Sequence, residues 1–150
     1  MRAVIQRVSE SRVKINNQIA GEIKKGMLIL LGIEEDDNYE DIRWLASKIV
    51  NLRIFSDTNG KMNLSVKDID GGLLVVSQFT LHASTKKGNR PSFVKAAKPE
   101  KAIHLYNQFI KECEQLMNKK VETGQFGANM EVYLVNEGPV TIIIDSKNKE

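Results

Sequence analysis

The chain has 150 residues, and 41% of them are apolar, which is enough for one compact domain with a hydrophobic core and too few for two. Its formal charge of +3 permits a nucleic-acid or phosphate partner without requiring one. The single cysteine, Cys113, excludes an internal disulfide, and no paired spacing of Cys and His typical of zinc sites is present. We therefore expect one domain over residues 1–150, with no metal and no cofactor.

Neither targeting nor membrane insertion is indicated by the pattern of apolar residues. The first eight residues alternate like a strand and lack the apolar centre of a signal peptide. The longest apolar run, Met27–Leu31, is far shorter than the roughly 20 residues that span a bilayer. The sequence predicts a cytoplasmic protein without a membrane partner.

The first third of the chain is predicted to be mostly β-structure. Val4–Val8 and Val13–Ile15 have the composition of strands, and Asn16-Asn17 tolerates the positive φ of a hairpin turn before Gln18–Ile23. Met27–Gly32 is continuously apolar, which is typical of a strand that is buried on both faces. We expect an antiparallel hairpin next to a central strand.

Two helices are predicted from their N-terminal signals and apolar spacing. Asp36, Asp37 and Asn38 offer capping oxygens ahead of a helix from about Tyr39 to Asn51. Pro99 suits the first turn of a second helix. Its apolar stripe, which favours a core position for the cysteine over a catalytic thiol, consists of Ile103, Tyr106, Ile110, Cys113 and Met117.

Polar residues follow an apolar run at one strand end, and a Gly-Pro step interrupts another β-rich region. Ser77-Gln78-Phe79-Thr80-Leu81 follows the run Leu73–Val76, and Gly138-Pro139 separates strands predicted at about Met130–Val135 and Val140–Ile144. Each motif could be an ordinary turn, or part of a site that uses backbone groups as well as side chains. Residues 146–150 are expected to be a frayed tail.

The segment from His82 to Pro99 lacks regular periodicity and is basic. It is either a solvated loop or a contact to RNA phosphates. Because strand residues two apart share a face, Thr80 and His82 could also form a pair of hydroxyl and general base. The basic residues, which have no acidic residue among them, are Lys86, Lys87, Arg90, Lys95 and Lys98.

Five ordered groups of residues, spread along nearly the whole chain, resemble the D-aminoacyl-tRNA deacylases, formerly called D-tyrosyl-tRNA deacylases. The matching segments are Ala3–Val8, Arg53–Asp57 with Gly60–Asn63, Ser77–Leu81, Arg90–Phe93 and Asn136–Thr141. The resemblance implies an α+β homodimer, with one compact domain that has a mixed, largely antiparallel, barrel-like sheet and two main helices. It also implies hydrolysis of the ester that joins a D-amino acid to the terminal adenosine of tRNA.

Chiral selection is implied to depend on the Gly-Pro step. By resemblance, the peptide bond between Gly138 and Pro139 is cis, and each subunit inserts it into the active site of the other. Its carbonyl oxygens would accept hydrogen bonds from the substrate ammonium and would exclude an L side chain, while Arg7 braces the motif. Because glycine has no side chain to exclude, glycyl-tRNA is expected to be hydrolysed as well.

The resemblance also assigns the reacting groups. Ser77, Gln78, Phe79 and Thr80 would lie beside the ester, with a backbone N–H near Phe79 suited to an oxyanion hole. Thr80 is one candidate nucleophile, and the preferred alternative is water assisted by the 2′-hydroxyl of the terminal ribose.

The adenine and the tRNA acceptor stem would be bound elsewhere. By resemblance, Phe126 and Met130 belong to the wall on the adenine side, although Phe126 could equally be a core residue. The acceptor stem would meet Lys86, Lys87 and Arg90. The chain departs from the family at Asn129, where acids are frequent, and at His82, where small residues are common. The alternative function is a non-catalytic RNA-binding module that uses the basic segment 86–98.

Overall fold

The computed structural model describes all 150 residues, and one long first strand organises its sheet. The helices are α1 (Tyr39–Val50) and α2 (Pro99–Met117). The strands are β1 (Arg2–Ile15), β2 (Gln18–Ile23), β3 (Gly26–Gly32), β4 (Phe55–Ser56), β5 (Met62–Leu64), β6 (Gly72–Ser77), β7 (Glu122–Thr123) and β8 (Glu131–Asp145).

Strand β1 pairs antiparallel with β2, β3 and β8. One edge of β1 meets β3 up to Val8 and β2 from Ser11 onward, whereas its other edge meets β8 along most of its length. The predicted separate strands are therefore one strand. Asn16 and Asn17 have φ values of 50° and 62°, which confirms the predicted hairpin turn.

The sheet closes into a nearly complete barrel. β3 pairs with β6 and β6 pairs with β7, both in parallel. β7 then lies against β2, so closely that Gly21 has no room for a side chain beside Thr123. β8 lies outside this ring and pairs only with β1. The predicted α+β class, with a mixed and largely antiparallel sheet, is confirmed.

Both helices begin as the sequence predicts. The Asn38 side chain accepts a hydrogen bond from Glu40 N at 2.8 Å, and the Asp41 carboxylate accepts one from Asn38 N at 2.9 Å, which forms a capping box. Pro99 is the first residue of α2. Neither helix has the length and apolar content needed to cross a membrane.

The helices cover one face of the sheet, and the core lies between them. The central strand is buried on both faces, because Ile29 belongs to this main core and Leu28 to a smaller cluster inside the barrel. Cys113 is fully buried, and burial raises the pKa of its thiol, which confirms a core position. Ile103, predicted to be in the apolar stripe, is instead 40% exposed, because Ala102 occupies the buried position.

The predicted frayed tail needs correction at its first two residues. Ser146 is buried, and its Oγ donates to Asp41 Oδ1 at 2.7 Å and accepts a hydrogen bond from the Met1 amine at 2.9 Å. Lys147 Nζ donates to Asp41 Oδ2 at 2.8 Å. Burial alone would raise the pKa of Asp41, but these hydrogen bonds outweigh burial and leave that pKa below its usual value.

The Ser146→Ala variant should therefore lower the free energy of unfolding by about 1–2 kcal/mol, because a buried carboxylate and a buried amine each lose a hydrogen bond. Urea titration at neutral pH measures this difference. The control, Asn148→Ala, removes an exposed side chain and should change stability by less than about 0.5 kcal/mol. Equal stability of both variants would contradict the structural role of Ser146.

The same network predicts a dependence of stability on pH. The pKa of Asp41 is lowered in the folded chain, so its contribution is present above the unfolded pKa and is lost as pH falls through the folded value. The stability difference between wild type and Ser146→Ala should accordingly shrink in acid.

Candidate active site

A 3₁₀ turn, Phe79–His82, follows the end of β6. Gln78 N donates to Leu31 O at 2.8 Å, which holds the start of the turn against β3. Leu81 N donates to Gln78 O, and Ala83 N donates to Thr80 O. The polar residues after the apolar run thus leave the sheet in a tight turn at one end of the barrel.

The beginning of this turn presents backbone donors. The N–H groups of Phe79 and Thr80 stand at its start, where a 3₁₀ turn offers them no internal acceptor. The Phe79 side chain is 57% exposed and packs edge-on against Phe93, with 5.0 Å between the ring centroids. Adjacent free N–H groups can stabilise negative charge that develops on an oxygen.

The hypothesis of a Thr80–His82 pair is wrong. Thr80 is exposed and its Oγ1 accepts a hydrogen bond from Gln78 Nε2, whereas His82 is buried with its Nδ1 3.9 Å from Glu34 Oε2. Because the chain forms a 3₁₀ turn here, residues two apart do not share a face as they would in a strand. Thr80 thus has no basic side chain beside it.

Arg2 holds the end of the turn, a role that no sequence motif indicated. Its Nη1 donates to Leu81 O at 2.8 Å, and its Nε and Nη2 donate to Asp145 Oδ2 at 3.0 and 2.8 Å. Burial would raise the pKa of Asp145, but its hydrogen bonds from Lys147 and Arg2 leave that pKa below its usual value. The planar guanidinium thereby connects the turn to β8.

A cavity of about 770 Å³ opens beside the turn. One wall is formed by Ser77, Gln78 and Phe79 at the end of β6. The segment from Phe126 to Met130 forms a second wall. A third wall runs from Phe93 to the start of α2, and it contributes Lys98, the one charged residue that lines the cavity. The cavity is therefore mainly apolar, with polar groups at one side.

Phe126 lies at the boundary between the core and the cavity. Its half-buried ring packs against Tyr106, with 5.8 Å between the centroids, and it also lines the cavity. Tyr106 is fixed by a hydrogen bond from its hydroxyl to Val75 O at 2.8 Å. Met130 lines the same wall and is half-buried. Both interpretations of Phe126, as a core residue and as a cavity wall, describe part of its position.

The Gly-Pro motif forms a projection from the β1–β8 ladder. Gln6 pairs with Thr141 and Val8 pairs with Asn136, so one residue of β1 faces four residues of β8. These residues, 137–140, are called the projection below. It contains a cis peptide bond between Gly138 and Pro139, both of which are exposed. The two strands predicted on either side of the motif are one strand, β8.

Two side chains brace the projection. Arg7 Nε donates to Glu137 O at 3.0 Å, and Arg7 Nη1 donates to Ile54 O at 2.7 Å. Asn136 Oδ1 accepts a hydrogen bond from Val140 N at 3.1 Å across the base of the projection. Sequence reasoning assigned no role to Asn136, although an asparagine next to a Gly-Pro turn commonly accepts such a bond.

The projection and the cavity lie in different parts of the chain. No residue of the projection lines the cavity of the same chain.

The predicted RNA contacts, Lys86, Lys87 and Arg90, are all exposed in the segment between the turn and α2. This segment is held by paired hydrogen bonds between Ser84 and Ser92 at 2.8 and 2.9 Å. Nowhere does the chain assemble three or more His, Cys, Asp or Glu side chains into a possible metal site.

Comparisons with known proteins give one consistent family. A D-aminoacyl-tRNA deacylase of Flavobacterium psychrophilum is 65% identical, and one of Bacteroides fragilis is 62% identical, each over the full length of both chains. The solved structure of a c-Myc DNA unwinding element binding protein is 38% identical, with a TM-score of 0.91 over 97% of this chain and 98% of that one.

A more distant solved structure shares the fold. The probable eukaryotic D-amino acid tRNA deacylase is 16% identical, with a TM-score of 0.82 over 95% of this chain and 97% of that one. The family model described as D-Tyr-tRNA(Tyr) deacylase matches residues 4–145. The resemblance inferred from the sequence motifs is confirmed, and the chain belongs to the D-Tyr-tRNA(Tyr) deacylase family of enzymes.

Proposed function

We propose that the chain hydrolyses the ester bond of D-aminoacyl-tRNA, releasing the free D-amino acid and tRNA, and that it excludes L-aminoacyl esters. The observation that carries this proposal is the Phe79–His82 turn, whose first residue, Phe79, has a free N–H and lines a mainly apolar cavity. A nucleoside fits the size and character of such a cavity. The adenine ring would lie against Phe126 and Met130, since aromatic side chains bind bases by stacking.

Water is the proposed nucleophile. It attacks the ester carbonyl carbon, and the N–H of Phe79 stabilises the resulting oxyanion, an interaction typically worth about 3–4 kcal/mol. The bond from that carbon to the ribose 3′-oxygen then breaks, and the 3′-oxygen takes up a proton. Thr80 has no basic side chain beside it, so the neighbouring 2′-hydroxyl of the ribose is the better candidate to assist the attack.

The variants Thr80→Ala and Thr80→Val should retain a kcat within about ten-fold of wild type, because loss of a true nucleophile costs several orders of magnitude. A tRNA that ends in 2′-deoxyadenosine should lose most turnover with the wild-type enzyme. Single-turnover cleavage of D-tyrosyl-tRNA measures both effects. Inactive Thr80 variants together with an active 2′-deoxy substrate would instead identify Thr80 as the nucleophile.

Chiral selection is proposed to come from a second copy of the chain. The projection of one subunit would enter the cavity of the other, where the carbonyl oxygens of Gly138 and Pro139 accept hydrogen bonds from the substrate ammonium. In an L-aminoacyl ester the hydrogen and the side chain have exchanged places at the α-carbon relative to the D ester, so the L side chain would be driven into these oxygens. The bonds from Arg7 and Asn136 hold the projection in place for this purpose.

The outer surface of β8 supports a homodimer. This strand pairs only with β1, so its other edge is free for 15 residues. Tyr133, Val135 and Ile143 are 40%, 50% and 67% exposed on it. Long free edges and exposed apolar side chains are usually covered in native proteins. A second copy covering this surface would also bring its projection close to the neighbouring chain.

Purified protein should cleave D-tyrosyl-tRNA rapidly, cleave glycyl-tRNA measurably and leave L-tyrosyl-tRNA intact, because only an L side chain meets the projection. Release of amino acid from matched substrates measures the three rates. Equal cleavage of the D and L esters would overturn selection by exclusion. Binding of tRNA without cleavage of any ester would favour the RNA-binding module instead.

Shared sites can be tested by complementation. Gly138→Val should disable the projection, since Gly138 has a φ of 136° and an added Cβ would lie 3.0 Å from Arg7 Nη2. Phe79→Pro removes the proposed oxyanion donor at the first position of the turn, where proline is tolerated. Each variant alone should lose about 10²–10³-fold in kcat, the usual effect of losing such a donor or comparable positioning.

Mixed dimers, isolated with different C-terminal tags, should recover about half of the wild-type activity, because one of their two sites receives an intact turn and an intact projection. Mixed dimers without recovered activity would place both elements of a site in the same chain. Wild-type dimers with the same two tags are the control.

The acceptor stem of the tRNA is proposed to meet Lys86, Lys87 and Arg90. These exposed cations lie between the Phe79–His82 turn and α2, which starts beside the cavity. Contacts of this kind attract the phosphate backbone without reading its sequence and weaken with added salt.

A further inference from the structure

We propose that Lys98 binds the 5′-phosphate of the terminal adenosine and so sets how tightly the end of the tRNA is held. This proposal rests on the proposed function, because it assigns a part of the same substrate to a residue for which neither motif nor resemblance gave a role beyond the basic segment. It begins from a feature of the cavity, whose 18 lining residues include one charged side chain.

Lys98 is free to bind an anion. Its Nζ forms none of the ion pairs found in the structure. The backbone at this position is fixed, because Lys98 N donates to Glu35 Oε2 at 3.2 Å and Ala97 N donates to Ile33 O at 3.0 Å. Neighbouring Lys101, by contrast, has its Nζ bonded to Glu35 O. The backbone of Lys98 is therefore held in place, while its side-chain ammonium has no carboxylate partner.

Lys98 lies among apolar residues at the cavity wall, where a bound phosphate would interact with it. The same wall is formed by apolar residues, among them Phe93, Ala97, Pro99 and Ile103. Lys98 is exposed, as Lys86 and Lys87 are, but of these three lysines only Lys98 lines the cavity. A phosphate bound against the apolar side chains of this wall would displace water from around the Lys98 ammonium, and the attraction between the two charges would then be screened less.

The structure of the terminal adenosine indicates which of its groups would face the cavity wall that contains Lys98. A terminal adenosine has three attachments on its ribose: the ester at the 3′-oxygen, the base at C1′ and the phosphate at the 5′-oxygen. The Phe79–His82 turn is proposed to hold the ester, and Phe126 with Met130 to hold the base. The remaining wall, formed by lining residues between Phe93 and Ile103, then faces the phosphate, and Lys98 is the only cation among those lining residues.

Two pairs of small ligands test this assignment without the rest of the tRNA. Adenosine and 5′-AMP differ only in the phosphate, and so do their 3′-D-tyrosyl esters. The variant Lys98→Met removes the cation while keeping an unbranched side chain. The control Lys111→Met removes one positive charge from an exposed position further along α2, to which no role is assigned.

Wild-type protein should bind 5′-AMP about ten-fold more tightly than adenosine, the effect expected of one charge-assisted hydrogen bond. Lys98→Met should bind the two equally, whereas Lys111→Met should keep the preference. For the esters, Lys98→Met should raise KM for the AMP ester by a similar factor and leave kcat and the adenosine ester unchanged. Calorimetry and initial rates measure these quantities.

Equal binding of adenosine and 5′-AMP by wild type would overturn the proposal, as would equal effects of Lys98→Met on both ligands. These outcomes are distinct from failure of the proposed function. If wild type cleaves neither ester, the deacylase proposal fails, and the comparison of adenosine with 5′-AMP still decides whether Lys98 binds the phosphate.

Discussion

One residue facing four in the β1–β8 ladder is the constraint on which the site geometry depends. The ladder is in regular antiparallel register from Arg2 to Gln6 and again from Glu10 to Lys14, and between these parts the extra residues of β8 have to leave the sheet. Arg7 and Asn136 bond to backbone groups of the extra segment and give it a defined shape. An irregularity in the ladder thereby becomes an exposed segment whose backbone is held by hydrogen bonds from its own chain.

The second element of the site follows from parallel pairing. β6 lies beside β3 in register from Gly72 to Ser77, and the chain then turns because Gln78 bonds to Leu31 O. The start of the turn is therefore held beside the end of β3, and Arg2 holds its other end through the hydrogen bond to Leu81 O. Backbone donors at such a turn need no side chain to place them, so the proposed site does not require a base beside Thr80.

Local patterns predicted what depends on local physics. The Asn16-Asn17 turn, the Asn38 cap and the strand Met27–Gly32 each have a short-range cause, and the structure agrees with them. Contacts between distant residues could not be predicted in this way. The bonds from Arg2 to Leu81 and from Ser146 to Asp41 join residues separated by 79 and 105 positions. Whether the His82 side chain lies beside Thr80 likewise depends on whether the chain continues as a strand or forms a turn after β6.

Closure of the barrel also limits how copies of this chain can assemble. β7 lies against β2, and β8 pairs only with β1, so the outer side of the 15-residue strand β8 is the longest free strand edge in the molecule. Antiparallel pairing of two such edges about a two-fold axis uses both at once. In the proposed homodimer, growth by strand addition would therefore stop at a pair, and the covered edge would no longer be open to the addition of further strands that leads to fibres.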